Sequence, residues 1–257
     1  MSILRVNEIR SQSGSTISVP SGYELSLDGL IVNSNSIPPD PSGQSGKFLQ
    51  ATSQIGGGGS TSWVNVGPDA IRVYTSNTTW TKPAGITKVL VKVVGAGGAG
   101  SGVGENGGAG GYAEKLIDVT SVTSVNVNVG TGSTSSTYYS NAAGGGSASS
   151  FGNYITCTGG NGGNQSHQHC GGLPGSGSGG DFNMYGGGGS GHMYWSGPPG
   201  GGSYWGGAGA TGHPQGGDYA HQHSSHAPPG AGGPAGYHTS RLGANGRDGM
   251  VVIYEFR

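Results

Sequence analysis

Apolar and polar residues alternate with a period of two along much of this chain, and no segment repeats its apolar positions at helical spacing. The clearest case is residues 87–94, where Val89, Val91 and Val93 interleave with Lys88, Leu90 and Lys92. β-branched residues in that pattern predict a half-buried strand. Residues 112–117 predict a second strand. Val125, Val127 and Val129, alternating with Asn126 and Asn128, predict a third with one polar face. Residues 149–151 and 154–158 are the fourth and fifth. The terminal run Met-Val-Val-Ile-Tyr-Glu-Phe at 250–256 is the last, and its place predicts that it closes the sheet.

Three stretches follow from this pattern. Residues 1–37 carry short apolar alternations (Ile3, Val6, Ile9; Ile17, Val19; Tyr23, Leu25, Leu27) broken at Ser13-Gly14 and Ser21-Gly22. These are too short for a core of their own, so they are expected to bury against copies of themselves or a docking partner. Residues 38–70 begin with the stiff linker Pro38-Pro39-Asp40-Pro41 and continue into a neck hairpin. Its strands are Gly46-Lys47-Phe48-Leu49-Gln50-Ala51 and Trp63-Val64-Asn65-Val66, on either side of four glycines. Residues 71–257 form the main domain. The fold class is all-β with no significant α-helix: short fibrous strands at the N-terminus, then a β-framed domain with a glycine-rich insertion between Thr158 and Met250.

Composition adds that insertion's character. The chain holds 59 glycines in 257 residues, and between Lys115 and Arg241 the only charged residues are Asp118, Asp181 and Asp218. Glycine loses the most backbone entropy on folding and has no side chain to bury. Such a stretch is either a linker or a packing built from backbone. Collagen is excluded, because Gly95, Gly97, Gly98, Gly100, Gly102 and Gly104 keep no period of three. Extended polyproline-type helices leave their amides pointing outward, and glycine lets them approach and bond one another. Packed polyglycine II-like helices are therefore expected at 171–180, 186–191, 197–202 and 206–212. Bulky islands between the runs become turns: residues 181–185, 192–195, 203–205, 218–226 and 237–241.

The islands hold the candidate binding residues: Tyr185, His192, Tyr194, Trp195, Tyr204, Trp205, Tyr219, His221, His223, His226, Tyr237 and His238. Aromatic rings offer flat faces with polar tips and few rotatable bonds, which suits stacking on sugar rings or on protein loops. Some of these rings are expected to pack beneath the loops instead.

Other chemistry is thinly represented. Histidines two apart share one face of a strand, so His167, His169, His221 and His223 are the metal alternative, with Cys157 and Cys170 as further ligands by type. They fall in the glycine-rich insertion, where surface-loop histidines are the commoner outcome, and no cofactor is expected. Glycoside hydrolysis needs two matched carboxyls, and only Asp181 and Asp218 lie among the islands. No nucleophile elbow appears, nor a phosphate loop with its lysine, so no enzyme is expected. Net charge is -1, which steers the chain toward neither nucleic acid nor an anionic membrane. No apolar run has the length of a bilayer span, and the first residues lack the apolar core of a signal peptide. Cys157 and Cys170 make no disulfide framework and are expected to be free thiols. Ice binding would want a flat regular array, which these irregular islands do not supply.

Three segments also carry a family resemblance. They are Trp80-Thr81-Lys82-Pro83-Ala84-Gly85 with the following strand and glycines to Gly100, then Gly110-Gly111-Tyr112-Ala113-Glu114, then Gly243-Ala244-Asn245-Gly246-Arg247-Asp248-Gly249 with the terminal strand. Together they resemble the glycine-rich receptor-binding domain of tailed-bacteriophage tail fibres. The neck hairpin is similar to hairpins in the shafts and heads of such fibres. The resemblance implies a β frame around polyglycine helices, with distal loops that touch the host. It implies a virion tail-fibre protein that recognises a host cell-surface glycan or outer-membrane protein by non-covalent adhesion. Residues 1–37 would then attach to a tail or baseplate protein and trimerise the chain. The alternatives are a structural fibre with a metal-stabilised tip and a polysaccharide-degrading tailspike.

Overall fold

A computed structural model describes residues 47–54, 57–65, 67–102, 104–135, 143–164, 171–191, 199–207, 227–236 and 243–257. Almost all of them fall in the unit Phe48–Arg257, one of two into which the chain divides. The expectations for residues 1–37 lie outside the described residues.

Among the described residues there is no helix, and the chain is all-β. Strands β1 (Lys47–Gln54) and β2 (Gly57–Asn65) pair as a separate two-stranded sheet, a hairpin as expected, although Gly57–Gly59 belong to β2 rather than to the turn. Ten further strands make two sheets. The first contains β3 (Ala70–Tyr74), β5 (Lys88–Val94), β6 (Tyr112–Asp118), β11 (Phe182–Met184) and β12 (Met250–Phe256), in the order β11-β6-β5-β12-β3. The second contains β4 (Thr78–Thr81), β7 (Ser124–Asn128), β8 (Ser149–Phe151), β9 (Ile155–Cys157) and β10 (Gly177–Ser178), in the order β10-β9-β8-β7-β4. All of these pairings are antiparallel.

The period-two pattern places the core. Val89, Val91, Val93, Ala113, Ile117, Val251 and Ile253 of the first sheet meet Trp80, Val125, Val127, Phe151, Ile155 and Cys157 of the second. Burying one such side chain contributes about 1.5–3 kcal/mol. A polar clasp joins the layers: Trp80 Nε1 and Arg72 Nε each donate to Glu255 Oε1, both at 2.7 Å. Glu255 is only 1% exposed, so these donors are what make its burial tolerable.

Two expectations about the strands are corrected. The terminal strand does not close the sheet: β12 lies between β5 and β3, and β3 is the edge. Strand β5 is paired on one side with β6, the next strand after residues 95–111, which leaves its other side for β12. Strands β10 and β11 lie inside a stretch expected to be glycine helix and turn. Two or three residues carry no readable alternation, and their pairing to β9 and β6 decides them.

The glycine-rich segments leave the sandwich after Val94, Asn128, Cys157 and Met184 and return at Tyr112, Ser149, Gly177 and Met250, so they gather at one end. At their centre are residues 95–111, a run N-terminal to the insertion expected from Thr158 onward. The amides of Gly95, Gly98 and Ser101 donate to Gly111, Gly108 and Glu105. Those of Ala96 and Ala99 donate to Ser147 and Gly144, and those of Gly97 and Gly100 to Arg247 and Ala244. Each neighbouring segment is thus served by every third residue. The return segment repeats the rule: Gly108 and Gly111 donate to Asn161 and Thr158, Gly107 and Gly110 to Gly233 and Gly230, and Asn106 and Ala109 to Ser190 and Gly187. A repeat of three is that of a polyproline II helix, and it is compatible with the packed extended helices expected from the glycines.

Close approach is why glycine is required here. An added Cβ at Gly97 would fall on the carbonyl oxygen of Ala231. Backbone amides that would otherwise be buried without partners are satisfied by neighbouring backbone. Ala96, Ala99, Ala109, Ala231 and Ala244 are also fully buried at the centre, as are Ser101, Glu105 and Asn106.

Candidate functional site

Tyr112 ends the central glycine run and begins β6, so its side chain stands on the face of the first sheet opposite the core. It is 1% exposed, because other aromatic rings cover it. The ring of Tyr204 stacks on it face to face, with centroids 3.6 Å apart and planes 9° from parallel. Trp205 meets Tyr112 edge-on at 6.4 Å and Tyr204 edge-on at 5.6 Å. Phe182, on β11 beside β6, closes the other flank edge-on at 6.4 Å.

Local structure explains the arrangement. Residues 203–206 form a tight turn in which Gly206 N donates to Ser203 O at 3.2 Å and Trp205 N to Ser203 Oγ at 3.3 Å. The turn projects two adjacent rings to one side. Gly230, at φ +78°, approaches Val94 so closely that a Cβ would contact Val94 Cγ2. It covers the outer face beside Tyr112. Strand β11 is anchored by Asp181, whose Oδ2 accepts from Leu116 N at 2.9 Å and whose own N donates to Glu114 O at 2.8 Å.

Polar groups line one side of the aromatic ledge. Tyr112 Oη donates to Glu114 Oε2 at 2.8 Å, and the same oxygen lies 3.6 Å from Lys92 Nζ. Burial, and next the hydrogen bond to Glu114, push the Tyr112 phenol well above its ordinary range. Tyr112 therefore stays protonated as a fixed donor while Tyr204 and Trp205 keep an open side, at 44% and 36% exposure. Phe182 and Met184 extend the ledge along β11 and are exposed.

Three of the expected binding residues are thus described. Tyr204 and Trp205 are brought together, half covering Tyr112 and half open. Tyr185 lies exposed just past β11, where Ser176 and Tyr185 form an isolated bridge. His192, Tyr194, Trp195, Tyr219, His221, His223, His226, Tyr237 and His238 lie outside the described residues. Sequence reasoning missed Tyr112, Phe182, Met184 and Glu114 as members of the ledge. Phe182 and Met184 stand in an aromatic island, which is a signal. Tyr112 and Glu114 read as ordinary strand residues.

The metal alternatives His167, His169, His221 and His223 lie outside the described residues, as does Cys170. Cys157 is a buried free thiol whose Sγ donates to Val93 O at 3.3 Å, and burial pushes it up to about 12. Among the described residues no three His, Cys, Asp or Glu side chains gather as a metal site. Asp181 is engaged by backbone, and Asp218 is outside the described residues. A separate open cleft of about 490 Å³ is lined by Ala143, Asn161, Asn164, Leu173 and glycines. It offers amides and one exposed leucine but no aromatic ring.

Residues 72–255 match a protein family described as a glycine-rich domain. The search of curated proteins found no match.

Proposed function

This chain belongs to the glycine-rich domain family, and from that premise we propose that it is a bacteriophage tail-fibre protein that adheres to a receptor on the host cell surface. The observation that carries the proposal is the Tyr204-Trp205 turn, held on the buried Tyr112 with its outer side open. A loop fixed by ring stacking on a sheet has little freedom left to lose on binding. Flat rings beside a carboxylate suit the apolar face and hydroxyl groups of a sugar, or an exposed loop of an outer-membrane protein. The histidine- and aromatic-rich islands at His192–Trp195, Tyr219–His226 and Tyr237-His238 would add contacts of the same kind.

Adhesion of this type is non-covalent. Several fibres per virion would act by avidity, so each site needs only modest affinity. In this reading residues 1–37 attach the fibre to a tail or baseplate protein, the chain works as a homotrimer, and its place is the virion.

The test is binding of the full-length protein to susceptible cells, with competition against the virus and a resistant strain as control. Selective, competing binding is expected. Trp205→Ala and Tyr185→Ala should each weaken it about tenfold, near 1.4 kcal/mol. Equal binding to both strains, or no loss in a folded double variant, would overturn the proposal.

A further inference from the structure

The aromatic ledge has a polar foot whose hydrogen-bonding groups are only partly engaged within the chain. Glu114 is the middle of a row across three strands, paired with Phe182 of β11 on one side and with Lys92 of β5 on the other. Side chains at paired positions share a face of the sheet. Tyr112, two residues before Glu114 on β6, shares that face too. The row therefore passes the foot of the Tyr204-Trp205 turn, whose rings cover Tyr112. Turn and row together make a step, with the open rings above and Phe182, Glu114 and Lys92 along the base.

One oxygen of Glu114 is taken and the other is open. Oε2 accepts from Tyr112 Oη at 2.8 Å and faces Lys92 Nζ at 3.6 Å, whereas Oε1 has no partner among the described residues. A carboxylate oxygen left in this way is a ready acceptor. The Lys92 ammonium also has donors to give. At 3.6 Å its contact with Glu114 is an ion pair and not a hydrogen bond, and the ring of Tyr254 lies 5.5 Å away at its centroid. The side chains of Lys92 and Glu114 are 22% and 30% exposed, open enough to be reached and covered enough to be held in place. An acceptor and a cationic donor thus stand side by side at the base of two open rings.

We propose that this step binds a saccharide through two adjacent ring hydroxyls, one donating to Glu114 Oε1 and the other accepting from Lys92 Nζ. The C–H face of the sugar lies against the Tyr204 and Trp205 rings. This rests on the adhesive reading of the ledge and names the chemistry of its ligand. Neighbouring hydroxyls offer a donor and an acceptor next to one another, which is what a carboxylate beside an ammonium matches. Both bonds are charge-assisted, and such bonds are about twice as strong as neutral ones. Size points the same way. A row of three strands is about 10 Å across, the scale of one or two sugar rings. A specific protein contact needs about 800 Å² on each partner, several times what a patch of that width provides.

The test compares binding of the full-length protein to susceptible cells treated in two ways. Periodate cleaves the carbon–carbon bond between adjacent hydroxyls, and protease removes exposed protein. Binding should fall at least about tenfold after periodate and survive protease. On untreated cells, Glu114→Gln and Lys92→Met should each weaken binding by at least about tenfold. In Glu114→Gln the amide oxygen stays with Tyr112 and Lys92, so an N–H donor replaces the open acceptor. Protection of the buried Cys157 thiol checks that each variant is folded. Binding that is lost to protease and kept after periodate would overturn the saccharide while leaving adhesion in place. Unchanged binding by both folded variants would also overturn it, because the sugar contact would then lie elsewhere. Failure to bind untreated cells would overturn the adhesive reading itself and this inference with it.

Discussion

Gly97, Cys157 and Gly67 show how differently single residues are constrained. A methyl group at Gly97 would strike the Ala231 carbonyl, and backbone at the centre of a bundle has nowhere to go. Gly97→Ala should destabilise the domain by about 3 kcal/mol or more. At Gly67 an added Cβ meets nothing within 4 Å, and Gly67→Ala should stay within about 0.5 kcal/mol. Denaturant midpoints of the two variants check the contrast. Cys157 tests burial through pH. Its thiol has an ordinary value of 9.0 and is pushed up to about 12 by desolvation. The folded state therefore holds the proton longer than the unfolded state. Its stabilising contribution is complete below pH 9 and is lost as pH rises from there toward 12. Tyr112, also raised by burial, has the same sign at higher pH. Unfolding free energy should fall through this alkaline window, by at most about 1.4 kcal/mol per pH unit for one group. In Cys157→Ala the fall should be shallower in denaturant titrations between pH 8 and 11.

At the scale of elements, the edge strand β3 is held by more than its ladder to β12. Its Arg72 points toward the core side and reaches Glu255, an inward charge of the kind that discourages further strands from adding to an edge. The same carboxylate binds Trp80 of the opposite sheet, so one residue of β12 ties β3 and β4 together. Glu255→Ala would strand the Trp80 N–H and the Arg72 guanidinium at once. It should cost about 3 kcal/mol in a denaturant titration. Arg72→Ala should cost less, because the Arg72 side chain is 46% exposed and water replaces part of the interaction. A larger loss for Arg72→Ala than for Glu255→Ala would refute this ordering.

For the whole molecule, two sheets supply an apolar core and the glycine-rich segments supply a second interior made of backbone. They differ in what they tolerate. The sandwich accepts exchange among apolar side chains of similar volume. The glycine interior accepts almost none, because its hydrogen bonds depend on strand-to-strand approach. The aromatic ledge marks where the sheet and the turn at 203–206 meet.

Alternation by itself determined the all-β class, and strands β5, β6, β7 and β12 stand within a residue or two of where it put them. Composition left the glycine stretches as either linker or backbone packing, and the every-third-residue hydrogen bonds are compatible with the second. The bulky islands pointed to Tyr185, Tyr204 and Trp205. Which strand lies at the edge, which glycine run lies at the centre and which rings share a ledge were decided only in three dimensions. Edge and centre depend on pairing between residues up to about 180 positions apart, as Arg72 with Glu255 shows. A glycine carries no side-chain pattern to reveal its neighbours. Tyr112 reads as a strand residue in the chain, and it becomes the floor of the ledge only because the turn at 203–206 folds back over it.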